Sequence, residues 1–169
     1  MLNQLQTVWK WYLLALVVIV LDQITKQWAA GVLEYAQVER VTSFFYLTLR
    51  HNNGAAFSLF AEGSGWQRWF LGGLAAIVSV LLVVWIARLR STNWRESCAL
   101  ALVLGGALGN LIDRALFGYV IDFIAVHYQH HEWPAFNIAD SAICIGAGLM
   151  IWDAVFTKKA GSPKVESHG

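Results

Sequence analysis

Asp122 and Asp140 are the residues in this sequence best suited to carry a reaction. Asp122 stands in Val120-Ile121-Asp122-Phe123-Ile124, and Asp140 follows Phe136-Asn137-Ile138-Ala139. Each has apolar neighbours in sequence and no adjacent basic residue, which leaves the two free to pair with one another. Two close carboxylates cannot both ionise easily, so one holds a proton while the other stays charged. The charged one can take a proton from water as that water attacks a peptide carbonyl. The protonated one can donate to the carbonyl oxygen and later to the leaving amine. Such a hydrolysis requires neither a metal nor a covalent intermediate. Asp140 taken alone reads equally well as a helix N-terminal carboxylate stabilised by the dipole. That reading does not account for a second aspartate at the same depth.

The remaining polar residues suit support better than chemistry. Asp22 and Lys26 lie one helical turn apart, where opposite charges can pair. Asn110, Asp113 and Arg114 share a helical face, and an Asp113-Arg114 pair beside an amide reads as a brace. His131-Glu132 is not HExxH, because Ala135 occupies the last position. His127, His130 and His131 read as a solvated interfacial loop cluster rather than a metal site. Ser58, Ser64 and Ser141 lack the Gly-x-Ser-x-Gly context of a nucleophile elbow. Cys98 and Cys144 fall in separate apolar segments and read as small buried residues. No cofactor motif is present.

The elements that must position these residues are membrane helices. The chain is 57% hydrophobic and only 14% charged, against roughly 25% charged for a soluble domain, so most of its surface needs lipid. Net charge is +1 and no basic tract exceeds Lys158-Lys159, which argues against a nucleic-acid partner. Four apolar stretches are long enough to cross a bilayer, at Trp11–Leu33, Trp66–Ala87, Cys98–Phe117 and Ile138–Phe156. Three further spans follow the first, so it reads as a retained span rather than a cleaved signal. Gly105 and Gly109 make a small-xxx-small surface for close helix approach. On the fourth span Asn137, Asp140, Ser141, Cys144 and Gly148 form one stripe that faces neighbouring helices.

Outside the spans, Phe45, Leu47 and Leu49 alternate with Tyr46, Thr48 and Arg50, which predicts a strand with one apolar face over Val41–Arg50. Asn52-Asn53-Gly54 reads as a turn and Gly63-Ser64-Gly65 as a loop. Asp122 is expected just past the third span, on a mobile segment. Lys10, Arg88, Arg90, Arg95, Lys158, Lys159 and Lys164 gather on one side of the membrane. Both termini are therefore expected to be cytoplasmic, with segments 34–65 and 118–137 outside. One domain over residues 1–157 and a short polar tail over 158–169 complete the expected organisation.

Five blocks resemble one known family, the lipoprotein signal peptidases (signal peptidase II). They are Asp22-Gln23-Ile24-Thr25-Lys26, Asn52-Asn53-Gly54-Ala55-Ala56-Phe57-Ser58, the run from Gly105 to Arg114, Val120-Ile121-Asp122-Phe123, and Phe136-Asn137-Ile138-Ala139-Asp140. The resemblance implies an all-α polytopic membrane fold of four transmembrane helices with a small external β-sheet and a short external helix. It implies that Asp122 and Asp140 are a catalytic dyad. Asn52, Gly54, Asn110, Arg114, Asn137 and Ala139 would line or support the substrate site, with Asp22, Lys26 and Asp113 as structural polar residues. The implied substrate is a diacylglyceryl-modified prolipoprotein cut before its lipidated cysteine, at the periplasmic face of a bacterial inner membrane. The implied inhibitor is globomycin, and the other partners are membrane lipids. The chain is expected to act as a monomer. Two other readings remain open on the residues alone. One is a small ion-coupled transporter using Asp22, Lys26, Asp113 and Arg114; the other is a structural subunit docking through Gly105 and Gly109.

Overall fold

A computed structural model describes residues 2–54, 65–89, 94–129 and 131–156. Ser58, Gly63, Ser64, Arg90, His130 and the tail from Lys158 onward lie outside the described residues. Four helices run α1 Leu2–Val32, α2 Trp66–Arg88, α3 Trp94–Leu116 and α4 Ile138–Phe156. Each is long and apolar enough to cross a membrane. Leu16, Val20, Ile24, Ile77, Val80, Leu81, Ile145 and Ile151 all stand exposed on the bundle exterior. Water would make so much exposed apolar surface costly, whereas acyl chains cover it without loss.

The helices therefore cannot rely on apolar burial alone, and small residues bring their backbones together. A Cβ at Gly105 would come within 2.7 Å of the Val18 Cβ on α1. One at Gly106 would collide with the Ala139 carbonyl of α4, and one at Gly146 would come within 2.7 Å of the Ala99 carbonyl of α3. α3 is thus the central helix, in close contact with both α1 and α4. Val8, Ala15, Leu82, Ile86, Leu100 and Leu104 fill the half of the bundle away from the sheet.

The face that α4 turns inward differs from the predicted stripe. Ala139, Ala142 and Gly146 are its buried residues, while Cys144 and Gly148 stand exposed. Packing against α3 demands the smallest side chains, and these lie at i, i+3 and i+7 from Ala139. Only the first turn of the predicted stripe, where Asn137 and Asp140 reside, faces its neighbours.

At one end of the bundle sits a four-stranded antiparallel sheet: β1 Glu39–Arg40, β2 Phe45–Asn52, β3 Val120–Tyr128 and β4 His131–Glu132, in that order. The predicted strand is β2, but its buried residues are Tyr46, Thr48 and Leu49 rather than Phe45 and Leu47. A slip in register buries Leu49 next to Thr48. Leu47 faces Ile124 whereas Arg50 faces Asp122, so β2 carries one extra residue between them. A bulge of this kind bends the strand and exchanges its faces. β3 and β4 also replace the loop expected at 118–137, so Asp122 belongs to a paired strand and not to a mobile segment. The described helices are the four spans alone, so the short external helix is not located among the described residues.

Candidate active site

All eleven predicted site residues converge where the sheet meets the bundle. Asp22 and Lys26 come from α1, Asn110, Asp113 and Arg114 from the last turns of α3, and Asn52 and Gly54 from the end of β2. Asp122 comes from β3, and Asn137, Ala139 and Asp140 from the start of α4. One backbone pairing and one side-chain cap bring the last two groups together. Phe136 pairs with Ile124 through hydrogen bonds of 2.9 Å in each direction, which fixes the entry to α4 against β3. Asn137 then caps α4: its Oδ1 accepts from the Asp140 N–H at 2.9 Å, three residues on.

Asn137 also bridges the two aspartates. Its Nδ2 donates to Asp122 Oδ1 at 2.7 Å and to the Ile121 carbonyl at 3.2 Å. The other carboxylate oxygen, Asp122 Oδ2, accepts from Asn52 Nδ2 at 3.0 Å. Asp140 Oδ1 accepts from Asn110 Nδ2 at 2.8 Å, and its Oδ2 has no hydrogen-bond partner among the described residues. Asp122 is only 2% exposed. Burial first, and then the charge of Asp140, push its carboxyl up from 3.8 to about 7. The donors Asn52 and Asn137 and the charge of Lys26 pull in the opposite direction.

Beneath the aspartates lies a closed ionic lock. Lys26 Nζ meets Asp22 Oδ2 at 2.8 Å and Asp113 Oδ2 at 3.0 Å, all three side chains being 0% exposed. Each carboxylate also ties down a backbone N–H: Asp22 that of Ala139 at 2.8 Å, Asp113 that of Ile121 at 3.0 Å. The lock thus grips α4 one residue before Asp140 and β3 one residue before Asp122. Lys26 has a further part, donating to Asn110 Oδ1 at 2.9 Å. With its oxygen held by an ammonium, the Asn110 amide must turn its NH2 toward Asp140.

This geometry corrects two expectations. Asp113 is braced by Lys26 of another helix and not by Arg114. The Arg114 guanidinium reaches the Gly54 carbonyl at 3.0 Å and the Asn110 carbonyl at 3.3 Å, and its buried Nε has no partner among the described residues. Nor is the aspartate pair remote from cations, since Lys26 and Arg114 both attract Asp140. Both discrepancies have one cause: the nearest base in sequence need not be the nearest in space.

Gln23 is a member that sequence reasoning passed over. Its Nε2 donates to Asp113 Oδ1 at 2.9 Å and to the Gly109 carbonyl at 3.2 Å, on the same turn of α1 as Asp22. An amide beside an intramembrane ion pair was the available signal. Among the described residues no three of His, Cys, Asp and Glu gather so as to hold a metal ion.

A family model described as signal peptidase (SPase) II matches residues 14–156, which takes in the lock, the sheet and both aspartates. The chain belongs to the signal peptidase II family. Its relatives include the lipoprotein signal peptidase of Teredinibacter turnerae, 67% identical over 150 residues, covering 89% of each chain. That of Cellvibrio japonicus is 54% identical, covering 86% of this chain and 85% of the relative. A solved bacterial membrane enzyme superposes with a TM-score of 0.82 at 33% identity, covering 92% of this chain and 93% of the other. As a signal peptidase II, the chain is a membrane aspartic peptidase. The transporter reading is not favoured.

Proposed function

We propose that this chain removes signal peptides from diacylglyceryl-modified prolipoproteins, cleaving before the lipidated cysteine, with Asp122 and Asp140 as its catalytic dyad. The observation that carries the reading is the pair of carboxylates linked through Asn137 at the junction of sheet and bundle. A substrate tethered by two acyl chains presents its scissile bond at that depth and nowhere deeper.

The surroundings of the two acids support a division of labour. With its carboxyl pushed up to about 7, Asp122 holds the shared proton near neutrality. Asp140, with Lys26 and Arg114 close by and an Oδ2 that accepts no hydrogen bond among the described residues, is placed to take a proton from water. Water attacks the scissile carbonyl as Asp140 takes its proton and Asp122 protonates the carbonyl oxygen. The tetrahedral diol then collapses. Asp122 recovers its proton from a hydroxyl, and Asp140 passes its own to the leaving amine. The products are a signal peptide ending in a carboxylic acid and a lipidated cysteine with a free amine. Arg114, with an unused Nε donor and a bond to Gly54, is suited to hold the substrate backbone.

The gathering of Lys10, Arg88 and Arg95 at the end away from the sheet supports cytoplasmic termini and an active site at the periplasmic face of the inner membrane. The chain works as a monomer, and globomycin blocks it by occupying the dyad. To test the substrate, the purified protein is given matched synthetic prolipopeptides with and without the diacylglyceryl group. Cleavage of the acylated peptide alone, leaving lipidated cysteine at the new N-terminus by mass spectrometry, is expected. Equal cleavage of both, or cleavage at another bond, would overturn the substrate assignment.

A further inference from the structure

A row of aromatic rings stands outside the dyad's own contacts, at the tip of β2. The His51 imidazole stacks on Tyr119, with ring centroids 4.0 Å apart and planes 20° from parallel. Tyr35 tilts against the same imidazole at 4.9 Å, and Phe117 follows Tyr119 at 6.0 Å. These rings come from three segments. Tyr35 belongs to the stretch leaving α1, which is tied to β2 where the Ala36 N–H donates to the Leu49 carbonyl at 3.0 Å. Phe117 and Tyr119 belong to the link between α3 and β3, and His51 to β2.

The position of the stack matters because of what adjoins it. His51 precedes Asn52 and faces Ile121, the residue before Asp122. Asn52 is the last residue of β2 and faces Val120, beyond the bulge. Stacked rings commonly contribute about 0.5–1.5 kcal/mol beyond their burial, enough to decide where a strand end rests. We propose that His51 and Tyr119 are positioning residues: their stack fixes the tip of β2 so that Asn52 keeps its hydrogen bond to Asp122. The inference rests on Asp122 being a member of the dyad.

The bond so protected favours the charged form of Asp122. Losing it should raise the upper apparent pKa of the dyad and carry the alkaline limb of the rate profile to higher pH. Other charged groups lie around Asp122: Arg50 opposite it on β2, Asp140 on α4, Arg114 on α3, and Lys26 on α1, the last paired with Asp22 and Asp113. Replacing His51 or Tyr119 leaves all of these in place. Burial lowers the His51 imidazole from its ordinary 6.5, which moves its own titration away from the alkaline limb.

The test compares full-length wild type, His51→Ala, His51→Phe, Tyr119→Leu, Asn52→Ala and the H51A/N52A double variant on a diacylated prolipopeptide in detergent. His51→Ala and Tyr119→Leu should each lower kcat about tenfold or more, with KM nearly unchanged. Both should shift the alkaline limb upward, as Asn52→Ala does. His51→Phe should restore rate and profile, and adding His51→Ala to Asn52→Ala should change nothing further. A wild-type rate and profile in His51→Ala or Tyr119→Leu would overturn the proposal. So would a loss with an unmoved profile that Phe does not rescue, since that marks stability alone. Should His51→Ala fail to fold by its thermal transition, Tyr119→Leu decides the matter by the same two readouts. Asp122→Asn, run alongside, separates the two claims: if it cleaves normally the dyad reading fails, and if it is inactive while His51→Ala behaves as wild type only the stack's role fails.

Discussion

At the scale of single residues, the proposed dyad would depend on how the two acids are held as well as on their presence. Asp122 is held by two amides and shut away from solvent, while Asp140 is held by one amide and attracted by two cations. Because the Asp122 carboxyl is raised from 3.8 to about 7, it stays protonated below that point and ionises above it. The acid that must donate is then lost, so kcat/KM should fall on the alkaline side with an apparent pKa near 7, read from a pH profile of the free enzyme. Asn137→Ala removes one donor to Asp122 and the cap of α4 together. It should lower kcat by about a hundredfold or more and cost about 1 kcal/mol of stability, measured by steady-state kinetics and thermal unfolding. That Asp122 and Asp140 could come together was legible in the sequence, since neither has an adjacent base to pair with. The Asn52–Asp122 bond was not, because it depends on a bulge whose extra residue leaves no signature in the hydrophobic pattern.

At the scale of elements, α3 is the frame and the Lys26 lock is the fastening. Replacing Lys26 with Met leaves two buried carboxylates without their cation. The cost should be about 3–5 kcal/mol, seen as a large fall in thermal midpoint together with lost activity. Gly106→Val would force α4 away from α3 at Ala139, carrying Asn137 and Asp140 with it. Its expected signature is a loss of activity out of proportion to the loss of stability, read by comparing kcat with the unfolding midpoint. A protein that keeps full activity with Val at this position would show that the contact does not position the dyad. The four helices could be read from the sequence because a membrane span needs only length and apolarity. β3 could not: most of Val120–Tyr128 is covered on both faces, so it lacks the alternation that identifies a half-buried strand. The same limit applied to α4, where length was plain but the inward face was set by how closely α3 approaches.

At the scale of the whole molecule, the arrangement suits a substrate that cannot leave the membrane. The bundle presents apolar side chains to lipid along its length, and the sheet and dyad meet at one end. Orientation has its own test. In a background with Cys98 and Cys144 replaced by Ala, Glu39→Cys on the sheet should react with a membrane-impermeant maleimide in intact cells, and Arg88→Cys should not. The reverse pattern would invert the assigned topology. The most direct test of the central claim is cleavage of a diacylated prolipopeptide by purified Asp122→Asn and Asp140→Asn. The expected result is that both fold and still bind globomycin while cleavage falls below detection in each; measurable turnover at the wild-type rate by either variant would contradict the dyad.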